Sequence, residues 1–271
     1  MRSAVVIVNW NSGGRLRSCL QSLPASPEIV VVDNASADDS LQQARASRVQ
    51  ATFIVNSTNR GLAPAINQGF AATSMPYVLL LNPDVRVTQG SIETLESVLD
   101  QHSRTGAVGG YVNEKYLPRP LATPWTVVRE NLGIPMSSLS TREVGQAAAA
   151  ALLVRREAYA AVSGFDERFL PAWYEDVDFC RCLKLAGWEV RFARDAEFVH
   201  EGGYSARALG SSDFAAAYYH NQLRYIRKHF GSGAGLMVRL SIVAGMAARL
   251  VVSPSRANAC SKVIAGALGG W

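Results

Sequence analysis

The sequence predicts an α/β protein: a Rossmann-like, mostly parallel central sheet flanked by helices, followed by a helical C-terminal extension. Three observations lead there. Short runs rich in Val, Ile and Leu alternate with amphipathic stretches of helical length through the first 112 residues. The apolar runs are continuous, as expected of strands buried on both faces. Each ends abruptly in polar residues and turn signals.

The elements follow in order. AVVIVNW (4–10) reads as a strand and GGRLRSCLQSL (13–23) as a helix. The first run is not expected to be a secretory leader, because it is short, broken by Asn9 and Asn11, and followed by no small-residue cleavage site. EIVVVDN (28–34) is a second strand, and a helix runs from about Ala37 to Ser47 with Ser36 as its N-cap. ATFIVN (51–56), YVLLLNP (77–83) and AVGGYV (107–112) read as strands, separated by helices at LAPAINQGFAAT (62–73) and QGSIETLESVLDQH (89–102). Residues 113–144 are proline-rich and aperiodic, and read as a long loop or small insertion. Regular structure resumes at QAAAAALLVRREAYAAV (146–162) and continues to EFVHEGGYS (197–205). Asp213 to His229 carries the marks of a helix, with Asp213 as N-cap, basic residues in the last turn and Gly231 just past the end.

Composition narrows the function. The four cysteines have neither disulfide-framework nor zinc-site spacing and are expected to be reduced thiols. The formal charge of +5 hides an asymmetry: residues 202–271 carry eight Lys/Arg against one acid, Asp213, so the remainder is net −2. Such a tail suits phospholipid, a lipid-linked pyrophosphate or nucleic acid. No zinc finger, RNP signature or basic zipper accompanies it, so nucleic acid is not an expected partner.

Asn9, Asp33, Asn56 and Asn82 with Asp84 all fall at or just past strand C-termini, where sheets of this kind bind ligands. Asp33 could accept from a pyrimidine ring N–H or a ribose hydroxyl, or serve as a helix cap. In NRGLAPAINQGF (59–70), small residues alternate with larger ones, which admits phosphate near a helix N-terminus or simply tight helix packing. It matches neither the dinucleotide fingerprint nor the P-loop. Asp84, carried past a strand end by Pro83, could hold a divalent cation bridging nucleotide phosphates. Glu175, Asp176 and Asp178 crowd the first turn of a helix that runs to Ala186. They could serve the helix dipole, at about 0.3–1 kcal/mol each. Alternatively, with Trp173 and Tyr174 beside them, they could form a sugar site with a tunable base. His200 closes an extended segment; with oxygen ligands it would suit Mn²⁺ better than Ca²⁺.

VVIVNWN, VVVDNAS, NRGLAPAINQGF, LLLNPDV, GFDERF, YEDVDFCRCLKLAGW and HEGGYS occur in one order over roughly residues 3–230. This set resembles the inverting family 2 glycosyltransferases, in their rhamnosyltransferase-like branch. The resemblance implies a GT-A fold over residues 1–230, with a nucleotide-binding half (1–112) and an acceptor-binding half (113–230), and a basic amphipathic extension at 231–271. It implies transfer, with inversion, of a sugar from a nucleotide-diphosphate donor, with dTDP-L-rhamnose the expected one. The acceptor would be a glycan or polyprenyl-pyrophosphate-linked sugar in bacterial surface polysaccharide synthesis. A UDP-sugar donor, or an idle nucleotide-binding subunit of a glycan assembly complex, are the alternatives. Carried over by motif, Asn9, Trp10, Asp33, Asn59, Gly61, Asn67, Asn82 and Asp84 would line the donor site. Asp84 and His200 would hold Mn²⁺ or Mg²⁺, Asp176 would be the catalytic base, and Trp173 and Glu175 would face the acceptor. One departure is that Asn82-Pro83-Asp84 stands where many members have two aspartates, which removes one charge from the metal site.

AGLMVRLSIVAGMAARLVV (234–252) is long enough to span a bilayer. Arg239 and Arg249 oppose that, each at about 2.5–3.5 kcal/mol if central. The remaining readings are a helix lying on anionic lipid, or one packed on the catalytic domain or on a second copy in a homodimer. The expected location is cytoplasmic, peripheral on the inner face of the membrane.

Overall fold

The computed structural model describes residues 2–25, 27–47, 49–134, 144–200 and 211–271. The chain divides into two compact units. The first comprises 1–121, 138–168 and 175–205; the second comprises 122–137, 169–174 and 206–271.

In the first unit the strands are β1 (Ser3–Asn9), β2 (Glu28–Asp33), β3 (Thr52–Val55), β4 (Tyr77–Leu81), β5 (Val85–Val87), β6 (Thr105–Tyr111), β7 (Ala151–Arg155) and β8 (Glu189–His200). They form one sheet in the order β3-β2-β1-β4-β7-β6-β8-β5. Pairs β1–β2, β1–β4, β2–β3 and β6–β8 are parallel, whereas β4–β7, β6–β7 and β5–β8 are antiparallel. The helices are α1 (Arg15–Ser22), α2 (Ser40–Arg45), α3 (Leu62–Ala71), α4 (Ser91–Gln101), α6 (Arg156–Ala161) and α7 (Glu175–Leu185).

The strands are apolar throughout because both faces are covered. Val5, Ile7, Leu79 and Leu81 pack with Leu16 and Leu20 of α1 and Leu95 and Leu99 of α4. Their neighbours Val6, Val78 and Leu80 point the other way, to Ala63, Ile66 and Phe70 of α3 and Phe179 and Leu183 of α7. Alternate side chains of a strand face opposite sides, so continuous hydrophobicity is the signature of a doubly covered sheet. Gly69 resolves one open reading. A Cβ there would lie 2.2 Å from Val6 Cγ1, so its smallness serves close packing of α3 on β1.

Several local expectations change. The helix expected from Ala37 begins only at Ser40, and no side chain caps it. Ser36 is instead turned toward β1, accepting from the Asn11 N–H at 2.9 Å and the Asn9 amide at 3.1 Å. The strand β7 inserts between β4 and β6 and is antiparallel to both. β5 has only three residues, too few for a periodicity. The stretch 113–144 contains a short 3₁₀ turn at Glu114–Tyr116 and, in the second unit, helix α5 (Pro124–Asn131). Thr123 caps α5 by accepting from the Thr126 N–H at 3.2 Å, with Pro at its first turn.

The second unit also contains α8 (Ser211–Val252) and α9 (Ala257–Gly269). α8 is two helices joined at Gly231, whose φ of 82° breaks the run where a C′ glycine was expected. Asp213 is not its cap. The helix already includes Ser211, and Asp213 sits in the first turn, paired with Lys262.

Candidate active site

Parallel pairing sets Asn9 at the end of β1 beside Asp33 at the end of β2. Both are buried. The Asn9 amide donates to Asp33 Oδ1 at 2.7 Å and lies 2.9 Å from Ser40 Oγ, and Asp33 Oδ2 accepts from the Ser36 N–H at 3.1 Å. Trp10, half-buried, follows directly. One residue beyond Asp33, Asn34 uses its whole amide. It donates to Asn59 Oδ1 at 2.9 Å and the Gly61 carbonyl at 3.0 Å, and accepts from Asn56 at 3.1 Å and the Arg60 N–H at 3.0 Å. Asn59 also accepts from the Gly61 N–H at 2.9 Å, and Gly61 takes φ 92° at the start of α3. The ends of β2 and β3 and the entry to α3 are thus tied into one network.

Asn67 is not part of it. Its amide donates to the Phe165 carbonyl at 2.9 Å and to Glu167 at 3.0 Å, and accepts from the Tyr159 hydroxyl at 2.9 Å and the Phe165 N–H at 3.1 Å. Every hydrogen-bonding position is engaged in holding the 159–167 segment, which is a framework task.

Further along the sheet, Asn82-Pro83-Asp84 forms a tight turn closed by the Val85 N–H on the Asn82 carbonyl at 3.1 Å. Val85 then pairs across β5–β8 with His200. This register brings His200 Nε2 to 3.3 Å from Asp84 Oδ1, with both side chains almost wholly buried. His200 Nδ1 is buried and has no hydrogen-bond partner among the described residues. A buried nitrogen left without a partner is costly in a protein interior. It is Nε2, the nitrogen facing the Asp84 carboxylate, that with that oxygen makes a donor pair suited to a divalent cation of the Mn²⁺ class. Tyr116 packs its ring edge-on to His200, centroids 5.0 Å apart. Burial raises its phenol pKa, and the charges of Asp84 and Asp176 add to the shift. Cys19 lies here too, but burial and the Asp84 charge push its thiol far above the usual range, which makes it inert as a nucleophile.

Asp176 is joined to this rim by an alanine-rich segment. The Ala150 carbonyl accepts from the Asn82 N–H at 3.0 Å, while the Ala149 N–H donates to Asp176 Oδ2 at 3.3 Å. Upstream, Gln146 exchanges two backbone bonds with Arg119, at 3.0 and 3.3 Å. Of the three acids opening α7, Glu175 and Asp178 are buried and Asp176 is partly open. Burial of its carboxyl raises the Asp176 pKa above 3.8. The N–H groups of Ala149 and Val177 and the Arg119 charge oppose that shift. A carboxyl with these properties suits a general base. Tyr116, Arg119 and residues 146–150 were missed from sequence. The only hint was the aromatic and basic content of KYLPRP (115–120).

Trp173 belongs to the second unit. Trp173 and Tyr174 both take positive φ, 73° and 71°, unusual for bulky residues. Asn221 holds them there: its buried amide nitrogen lies 3.1, 2.9 and 3.1 Å from the carbonyls of Leu170, Ala172 and Trp173. Gln222 donates to the Tyr174 hydroxyl at 3.0 Å. The Trp173 ring meets Phe214 edge-on at 4.3 Å. Of the expected HEGGYS segment, residues 201–205 lie outside the described residues.

Comparison with known proteins gives the family and the fold. The family described as glycosyl transferase family 2 matches residues 4–159. An N-acetylglucosaminyl-diphospho-decaprenol L-rhamnosyltransferase of Mycobacterium tuberculosis is 28% identical over 259 residues, covering 82% of each chain. Among solved structures, the mannosyltransferase PcManGT from Pyrobaculum calidifontis, in complex with GDP-Man and Mn²⁺, superposes with a TM-score of 0.65 at 15% identity, over 98% of this chain and 86% of that one. TarS residues 1–349 of S. aureus, in complex with UDP-GlcNAc, gives 0.58 at 14% identity, over 99% and 91%. The fold is that of GT-A glycosyltransferases.

Proposed function

The chain belongs to glycosyl transferase family 2, and on that premise we propose that it moves L-rhamnose from dTDP-L-rhamnose to a lipid-linked, pyrophosphate-bearing sugar. The site would lie on the cytoplasmic side of a membrane. The acceptor class follows the mycobacterial relative, whose substrate is a diphospho-decaprenol sugar.

The observation that carries the reading is the alanine segment. One stretch of backbone binds Asn82, two residues before Asp84, and also Asp176, so the phosphate end and the base share a support. Asp176 takes the proton of an acceptor hydroxyl while that oxygen attacks the anomeric carbon. The bond to the nucleoside diphosphate breaks as the new one forms, and configuration inverts. Asp84 and His200 would hold a divalent cation, which supplies positive charge for the departing diphosphate. Asp33, at the end of β2, and Asn59, just before α3, would meet the nucleoside.

The test is thermal stability of the purified protein with dTDP, UDP, GDP or NAD, each with Mn²⁺, Mg²⁺ or chelator. A ligand at 100 times its Kd adds about 2.7 kcal/mol. Metal-dependent stabilisation strongest for dTDP supports the reading. A larger response to UDP shifts the donor class, and a response to NAD alone removes the transferase assignment.

A further inference from the structure

One face of a helix in the second unit is exposed among the described residues. In α8 beyond Gly231, one side is built into the unit: Val238, Ile242 and Met246 are buried. Ser241 takes a hydrogen bond from the Asn131 amide at 3.0 Å, and a Cβ on Gly245 would lie 2.1 Å from the Asn131 carbonyl oxygen. A helix seated backbone-close on a polar seam is not surrounded by lipid, which argues against a span.

The opposite side carries Leu236, Met237, Leu240, Ala244, Ala248 and Val251, all exposed and on one helical stripe. Leu240 is 61% and Val251 83% exposed. The stripe is about 22 Å long at about 1.5 Å per residue. The two arginines of this segment turn away from it. Arg239 donates to the Trp271 carbonyl at 3.0 Å and Arg249 to the Tyr219 hydroxyl at 3.2 Å. Arg256, exposed, follows its C-terminal end.

Charge selects the occupant. The second unit contains nine Lys/Arg against Glu130 and Asp213, a net +7, while the rest of the chain is −2. A second copy would bring the same positive unit against itself. An anionic bilayer complements both the apolar stripe and the charge. We propose that this face docks on the surface of an anionic phospholipid membrane, with the helix lying in the interface. The inference stands on the second unit alone and does not depend on which sugar is transferred.

The experiment is co-sedimentation of the full chain with vesicles of phosphatidylcholine, alone or mixed with phosphatidylglycerol. The full chain should bind the mixed vesicles and bind phosphatidylcholine at least about tenfold more weakly. A triple variant, Leu236→Gln with Leu240→Gln and Val251→Gln, should lose about tenfold or more of the mixed-vesicle binding. These positions are exposed, so its circular dichroism and nucleotide-induced thermal shift should match the parent. Equal vesicle binding by parent and variant overturns the proposal, as does a parent that binds neither vesicle. A parent that is dimeric by ultracentrifugation, becomes monomeric in the variant and ignores vesicles assigns the face to self-association instead. Vesicle binding without any nucleotide response would break the transferase reading and leave this one standing.

Discussion

The ends of β2 and β3 and the ends of β4 and β8 are both polar, yet they are built on opposite terms. At the first, Asn34 has all four amide positions engaged, and Asn9, Asn56 and Asn59 bond to one another's neighbours. At the second, Asp84 and His200 face each other in a buried place and the histidine keeps a nitrogen without a partner among the described residues. The difference teaches that a polar strand end whose hydrogen bonds close among themselves is held in shape by its own residues, whereas one whose bonds stay open has donor atoms to spare. The same residue types serve both, so their presence alone does not discriminate.

The contrast can be broken by substitution. Asp176→Asn should have the largest effect, lowering transfer by about 10²–10⁴-fold while leaving nucleotide-induced stabilisation intact. Turnover at the parental rate would take Asp176 out of the chemistry. Asp84→Asn should lower transfer by on the order of 10²-fold and abolish the Mn²⁺-dependence of nucleotide binding. Asparagine keeps an oxygen facing His200 Nε2, so the variant's unfolding free energy in chelator should change by less than about 1 kcal/mol. Asn34→Ala should do the reverse, losing about 1–3 kcal/mol in urea unfolding through the groups it leaves unpaired, with a smaller loss of activity. If the two variants cost the same stability, the distinction between the rims fails.

The smallest effect is in pH. Burial holds the Asp176 carboxyl above 3.8, so the folded chain keeps a proton that the unfolded chain has lost. Stability therefore falls as pH rises from 3.8 through the folded value, and Asp176→Asn lacks that slope. Calorimetry of parent and variant across that window measures it. The acid limb of the transfer rate should likewise lie above the range of an ordinary carboxylate.

Much of this was legible in the residues. Strands β1, β2 and β4 announce themselves because a doubly covered strand must be apolar at every position. The acidic opening of α7 stands out in the residues, and the motif order around it makes Asp176 the expected base. Other features were not legible for definite reasons. Ser36 has the composition of a cap, but its hydroxyl is drawn to Asn9 and Asn11, a partner 27 residues away. Asn67 sits in the most ligand-like segment, but its amide is taken by residues about 100 positions later. Tyr116 enters the site through a ring contact with a residue 84 positions away in the numbering, which no local pattern records.

The sequence by itself determined the alternation of strands and helices, the family, and which polar residues lie near strand ends, because those depend on local periodicity and on short motifs. Only the tertiary structure decided which of those residues close on themselves and which stay open. Insertion of β7 between β4 and β6, the β5–β8 register that sets His200 against Asp84, and the alanine segment joining Asn82 to Asp176 are all long-range pairings. Hydrogen-bond satisfaction is settled only when both partners are in place, and those partners come from distant parts of the chain.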